Sequence, residues 1–94
     1  MKYYDWSDSK NAKLKAERDV CFEDIVAALN AGNLLDVLRH HRPDIYPHQR
    51  IYVVRIADYV YLVPFVEDEE KYFLKTIYAN RKMTKKYLFE RRQQ

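Results

Sequence analysis

The chain has 94 residues, 48% apolar and 15% aromatic, enough for one modest core and too apolar for general disorder. Its single cysteine, Cys21, excludes an internal disulfide and a cysteine-based zinc site, and no apolar run approaches the roughly 18 residues of a membrane span. The net charge of +3 hides a division: Lys71 to Gln94 hold eight Lys or Arg against one acid, Glu90, whereas the first seventy residues hold nine basic and thirteen acidic side chains. A basic segment on an otherwise acidic chain argues for an anionic partner. The opening MKYYDW has no signal-peptide apolar core, so a soluble protein of the cytoplasm, folded as one domain over residues 1–94, is expected.

In chain order, Lys2 to Trp6 reads as a short strand or extended arm. Ser7 or Asp8 can cap a polar helix near Ser9 to Arg18, whose thin apolar stripe is Ala12, Leu14 and Ala16. A second helix near Phe22 to Ala31 carries Phe22, Ile25, Val26 and Leu29 at helical spacing. Gly32, the only glycine, follows as its closing residue. Asn33 to Arg39 favours a strand, with helix open as an alternative. Residues 40–50, HHRPDIYPHQR, form a loop broken by Pro43 and Pro47 and hold all three histidines.

From Ile51 the pattern is that of strands: IYVVRI, a tight turn at Ala57-Asp58, then YVYLVPFV. Pro64 lacks a ladder donor and points to an edge position or a bulge. After the acidic turn EDEE, KYFLKTIY is expected as one further strand, and Asn80 as the cap of a basic helix, RKMTKKYLFERR. The class expected is α+β: an N-terminal strand, two helices, an antiparallel meander of about four strands and a C-terminal basic helix.

No glycine-rich phosphate loop, nucleophile elbow or helical zinc motif is present. The histidines lack a spacing that presets metal geometry, so neither metal nor cofactor is expected. The residues instead suit RNA cleavage by attack of the 2′-hydroxyl on the neighbouring phosphate. Histidine supplies acid and base near neutral pH, and arginine stabilises the pentacoordinate phosphate. His48, Arg50, Lys75 and Arg81 are the candidate catalytic groups, and Trp6, Lys10, Arg55, Lys82 and Lys85 the candidate RNA contacts. A solvated surface is the ordinary explanation of each cation, and core packing that of each aromatic ring. Arg55 and Lys75, read as lying amid strand apolars, call most strongly for a partner or an anion.

The segment YDWSDSKN followed by LKAERDVCFEDIV resembles the N-terminal signature of BrnT-type toxins of bacterial type II toxin–antitoxin systems, through Trp6, Lys10, Phe22 and Glu23. The stretch KTIYANRKMTKK resembles that family's strand and basic run before a helix. Ser7 stands where an aspartate is usual, and Arg18-Asp19 where a His-Gly pair is usual. The resemblance implies a RelE-like fold and a metal-independent endoribonuclease that inhibits translation, acting on free RNA or on the ribosome. It implies a cognate antitoxin of ribbon-helix-helix or helix-turn-helix type, with operator DNA reached only through that antitoxin. The alternative is a non-catalytic module of that fold that binds nucleic acid or a protein.

Overall fold

The computed structural model describes residues 2–90, with Glu90 by its backbone alone. Strand β1 (Tyr3–Asp5) leads into helices α1 (Asp8–Arg18) and α2 (Phe22–Asn30). Strands β2 (Leu34–Arg39), β3 (Gln49–Ile56), β4 (Tyr59–Glu67), β5 (Lys71–Leu74) and β6 (Tyr78–Ala79) follow, then a short helix α3 (Arg81–Thr84) that continues as a π-helical segment, Lys85–Glu90. The class is mixed α+β. None of the described helices is long and apolar enough to cross a membrane.

The sheet runs β1-β5-β4-β3-β2, with β6 also on β4. All neighbours are antiparallel except β1 and β5. A parallel return needs a long crossover, and the two helices and three strands between β1 and β5 supply it. Residues opposite each other in the ladder share a face. Tyr52, Val54, Val63, Phe65 and Leu74 lie on one face and pack against Leu14, Phe22, Ile25 and Ala28 of α1 and α2. Val53, Val60 and Leu62 lie on the other, beneath Met83, Tyr87 and Leu88. The sheet is therefore the middle of three layers.

Local chemistry explains most element ends. Ser7 Oγ accepts the Lys10 N–H and starts α1. Within α1 the buried stripe is Asn11 and Leu14, whereas Ala12 and Ala16 are exposed, contrary to the sequence expectation. Asn11 is buried because it has work on both sides. Its Oδ1 accepts the Phe22 N–H at 2.8 Å and its Nδ2 donates to Glu23 Oε1 at 2.7 Å, so α1 caps α2. The α2 stripe is rotated slightly from the expected one: Phe22, Ile25 and Ala28 are buried, with Val26 and Leu29 half-buried. Gly32 closes the helix at a φ of 82°.

One further reading needs correction and two are refined. KYFLKTIY is not one strand: β5 stops at Leu74, and residues 75–77 separate it from β6. Of the two placements expected for Pro64, an edge or a bulge, the bulge is the one found: it lies on β4, inside the sheet. Its carbonyl accepts the Lys75 N–H at 2.8 Å, but it has no N–H to return, so the β4–β5 ladder ends there. Pairing resumes at Leu62 and Tyr78, so residues 75–77 on one side face Val63 and Pro64 on the other, a bulge. Finally, the C-terminal helix has α winding only from Arg81 to Thr84; Arg91 and Arg92, expected to continue it, lie outside the described residues. Asn80 caps it as expected, accepting the Met83 N–H at 2.8 Å.

Thr84 fastens this helix to the sheet: its buried hydroxyl accepts the Val60 N–H at 2.9 Å and donates to the Asn80 carbonyl at 2.7 Å. Asp36 does the same at the β2 edge. Its carboxylate accepts the Val37 N–H at 2.8 Å and the Tyr87 hydroxyl at 2.9 Å.

Three carboxylates titrate below their ordinary values. Glu67 is held down first by its hydrogen bond from Lys2, Asp68 by the backbone N–H groups of Glu70 and Lys71, and Glu23 by the Asn11 amide. Each favours the folded state above the ordinary value, 4.5 for glutamate and 3.8 for aspartate, and that contribution is lost as pH falls through the lower folded value. Urea midpoints should therefore drop steadily between about pH 5 and pH 2. A flat midpoint over that window would show that these carboxylates do not support the fold.

Candidate nucleic-acid interface

The loop of residues 40–48 folds back over the end of the β2–β3 ladder. Pro43 and Pro47 prevent ladder pairing, and the Arg42 carbonyl accepts the Ile45 and Tyr46 N–H groups at 3.1 and 2.9 Å. The His40 ring packs on His41 and on Tyr46, each at 4.4 Å between centroids. His40 Nδ1 accepts the Arg42 N–H at 3.0 Å. With Nδ1 used as an acceptor, the neutral ring carries its proton on Nε2 and presents a donor there. Arg42 pairs with Asp44 at 3.5 Å and stays within the loop.

Beneath this loop is a cleft of about 500 Å³, bounded by Arg39, His40, Tyr46, Gln49 and Arg50 with Val37, Pro43 and Pro47. Among the described residues no carboxylate lines it. Arg39 and Arg50 are directly opposite in the ladder. Because His40 donates to the Gln49 carbonyl, the Arg39–Arg50 pair is of the non-hydrogen-bonded kind, in which side chains lie closest. Like charges so placed repel, and an anion between them removes the cost. Arg50 is partly compensated by Glu67, at 3.8 Å. Arg39 is exposed and has no ion-pair partner among the described residues.

A second hollow, about 320 Å³, adjoins the first through Arg50 and is lined by Lys2, His48, Glu67, Asp68 and Glu69. Lys2 and Arg50 both pair with Glu67. Arg50 is thus common to a cleft containing His40 and a hollow containing His48.

The other expected site residues fall elsewhere. Arg81 and Lys82 begin α3 at the opposite end of the sheet, where the Asn80 N–H reaches the Val60 carbonyl. Val60 and Phe65, which mark the two ends, are five residues apart on β4, or about 17 Å. Lys75 is not on an inner strand. It is exposed in the break after β5, in the row of Pro64 and Ile51, whose side chains lie on the face opposite Arg50. Arg55 is on β3, where its Nε donates to the Ala57 carbonyl at 2.9 Å and braces the hairpin turn at Ala57, which has a left-handed φ of 55°. Trp6 is half-buried and stacks on Phe22 at 5.7 Å against the core, far along the chain from the loop of residues 40–48. Lys10 lies on α1 and Lys85 is exposed on the π-helical segment.

Arg39, His40 and Tyr46 were not singled out by sequence reading. The signal was available in the pairing of two strands flanking one loop, which sets Arg39 against Arg50. Among the described residues no three of His, Cys, Asp and Glu gather as a metal site requires. No family model, curated protein or solved structure was found to match the chain.

Proposed function

We propose that this chain is the toxin of a toxin–antitoxin pair, an endoribonuclease that cuts RNA without a metal and so inhibits translation. The observation that carries this reading is the opposed pair Arg39 and Arg50, set in a cleft that no described carboxylate lines and flanked by two histidines. A phosphate between the arginines meets two planar forks that match its oxygens and stabilise added negative charge. His40 offers Nε2–H as a neutral hydrogen-bond donor to a phosphate oxygen, and the leaving oxygen takes its proton from solvent. His48, reached across Arg50, is the group available to take the 2′-hydroxyl proton. The resemblance of YDWSDSKN and KTIYANRKMTKK to BrnT-type toxins supports the same reading. In it, a ribbon-helix-helix or helix-turn-helix antitoxin silences the chain and carries it to operator DNA.

Inducing the chain alone should arrest growth, and RNA from arrested cells should show new 5′ ends. Purified protein should make the same cuts in the presence of a chelator. Unimpaired growth at confirmed soluble expression would sink the toxin reading.

The second reading is a module of this kind that binds RNA without cutting it. The distance of Lys75 and Arg81 from the cleft favours it, because two arginines rather than four cations then face the phosphate. Retention of intact RNA with a steep salt dependence is its signature.

A further inference from the structure

We infer that the cleft is built for one unpaired nucleotide, with the base on Tyr46 and its phosphate between Arg39 and Arg50, so that single-stranded RNA is the substrate class. The inference rests on the RNA reading above and narrows it. The cleft's lining combines two chemistries: the cations Arg39 and Arg50, and the ring and apolar groups Tyr46, 46% exposed, and Val37, 40% exposed. A volume of about 500 Å³ suits a single small ligand and not a double helix.

In a duplex, bases are stacked inside and only backbone reaches a concave site. In a single strand a base can turn out and lie on an aromatic ring. Tyr46 is prepared for this. His40 packs against its ring at 4.4 Å, and the turn made by its N–H to the Arg42 carbonyl fixes its backbone. A ring already held loses little freedom when a base stacks on it. The same histidine, with Nδ1 occupied by the Arg42 N–H, offers Nε2–H as a donor to a base or phosphate oxygen. Nucleotide-sized volume, a braced exposed ring and an opposed cationic pair thus meet in one place.

The test uses the full chain and two fluorescein-labelled RNAs of equal length, one unstructured and one a hairpin. Both carry 2′-fluoro groups so that neither can be cut. Fluorescence anisotropy should show the single strand binding about ten-fold tighter than the hairpin. Tyr46→Ala should remove most of that margin, whereas Tyr46→Phe should keep it, because the ring and not the hydroxyl stacks. Circular dichroism confirms that each variant is folded. Equal affinity for the two RNAs, or a Tyr46→Ala protein indistinguishable from wild type, overturns the single-strand inference while leaving RNA binding intact. Failure to bind either RNA overturns the RNA reading and the inference together.

Discussion

Replacing Arg39 and Arg50 together by alanine should weaken RNA binding about a hundred-fold near 0.1 M salt and lift the growth arrest. The magnitude follows from losing charge-assisted hydrogen bonds from two guanidinium groups, each worth roughly 1.5–3 kcal/mol. Because the two side chains are opposed and serve one anion, the single variants should each lose most of the binding, with strong non-additivity in the double. Stability separates this from a structural role. An ordinary ladder pair stabilises the sheet, so its removal lowers the melting temperature. Two opposed like charges destabilise it, so the double variant should melt at the wild-type temperature or above. The salt dependence should also flatten, by about 0.7 in slope for each phosphate of a single strand that the protein no longer neutralises. Full RNA binding by the double variant would remove the cleft from consideration. Arg81→Ala, at the far end of the sheet, provides the comparison: if it costs more than Arg39→Ala and Arg50→Ala, the basic helix carries the phosphate instead.

Much of the fold is legible because it follows from local chemistry. The alternation of β3 and β4, the tight turn at Ala57-Asp58, the Gly32 close and the Asn80 cap each depend on a few adjacent residues. What escapes reading depends on partners far along the chain. The parallel pairing of Tyr4 with Tyr72 has no local signature. Nor does the burial of Asn11, which pattern rules place on the wet face of α1; only the arrival of Phe22 and Glu23 gives it partners. Pro64 was legible as a disruption, edge or bulge, but which of the two depends on β5: its carbonyl still accepts the Lys75 N–H, and its missing N–H ends the ladder there.

The site shows the same division. Residue types were readable: histidines in a proline-broken loop beside arginines suit phosphate chemistry. Which residues meet was not. Lys75 looked like an inner-strand charge because KYFLKTIY has the alternation of one strand, and the bulge at Pro64 ends β5 at Leu74, immediately before it. Trp6 was legible as an aromatic but not as half-buried, which depends on Phe22 arriving beneath it from α2. Arg39 was the reverse case, an ordinary strand-end cation until the ladder set it against Arg50.

Phe65→Ala should lower the melting temperature by about 15–30 °C. The side chain is 2% exposed, stacks on Tyr52 at 3.9 Å with planes 8° apart, and meets Tyr72 edge-on at 6.2 Å. Truncating a buried phenylalanine costs about 3–5 kcal/mol, and a domain of this size loses roughly 4–8 °C for each kcal/mol. The hydrogen bond between the Tyr52 and Tyr4 hydroxyls limits how far the Tyr52 ring can follow into the gap. Phe65 also faces Arg50 across the β3–β4 ladder and Leu74 across β4–β5. Its loss should therefore loosen the row that positions Arg50, as well as the core. Phe22→Ala tests that link, since Phe22 is equally buried in the same cluster but sits on α2 beneath Trp6. Both variants should melt early. Measured cold, where both remain folded, Phe65→Ala alone should lose RNA affinity. Equal losses in the two variants would mean that affinity follows global stability and that the Phe65 row does not position the cleft.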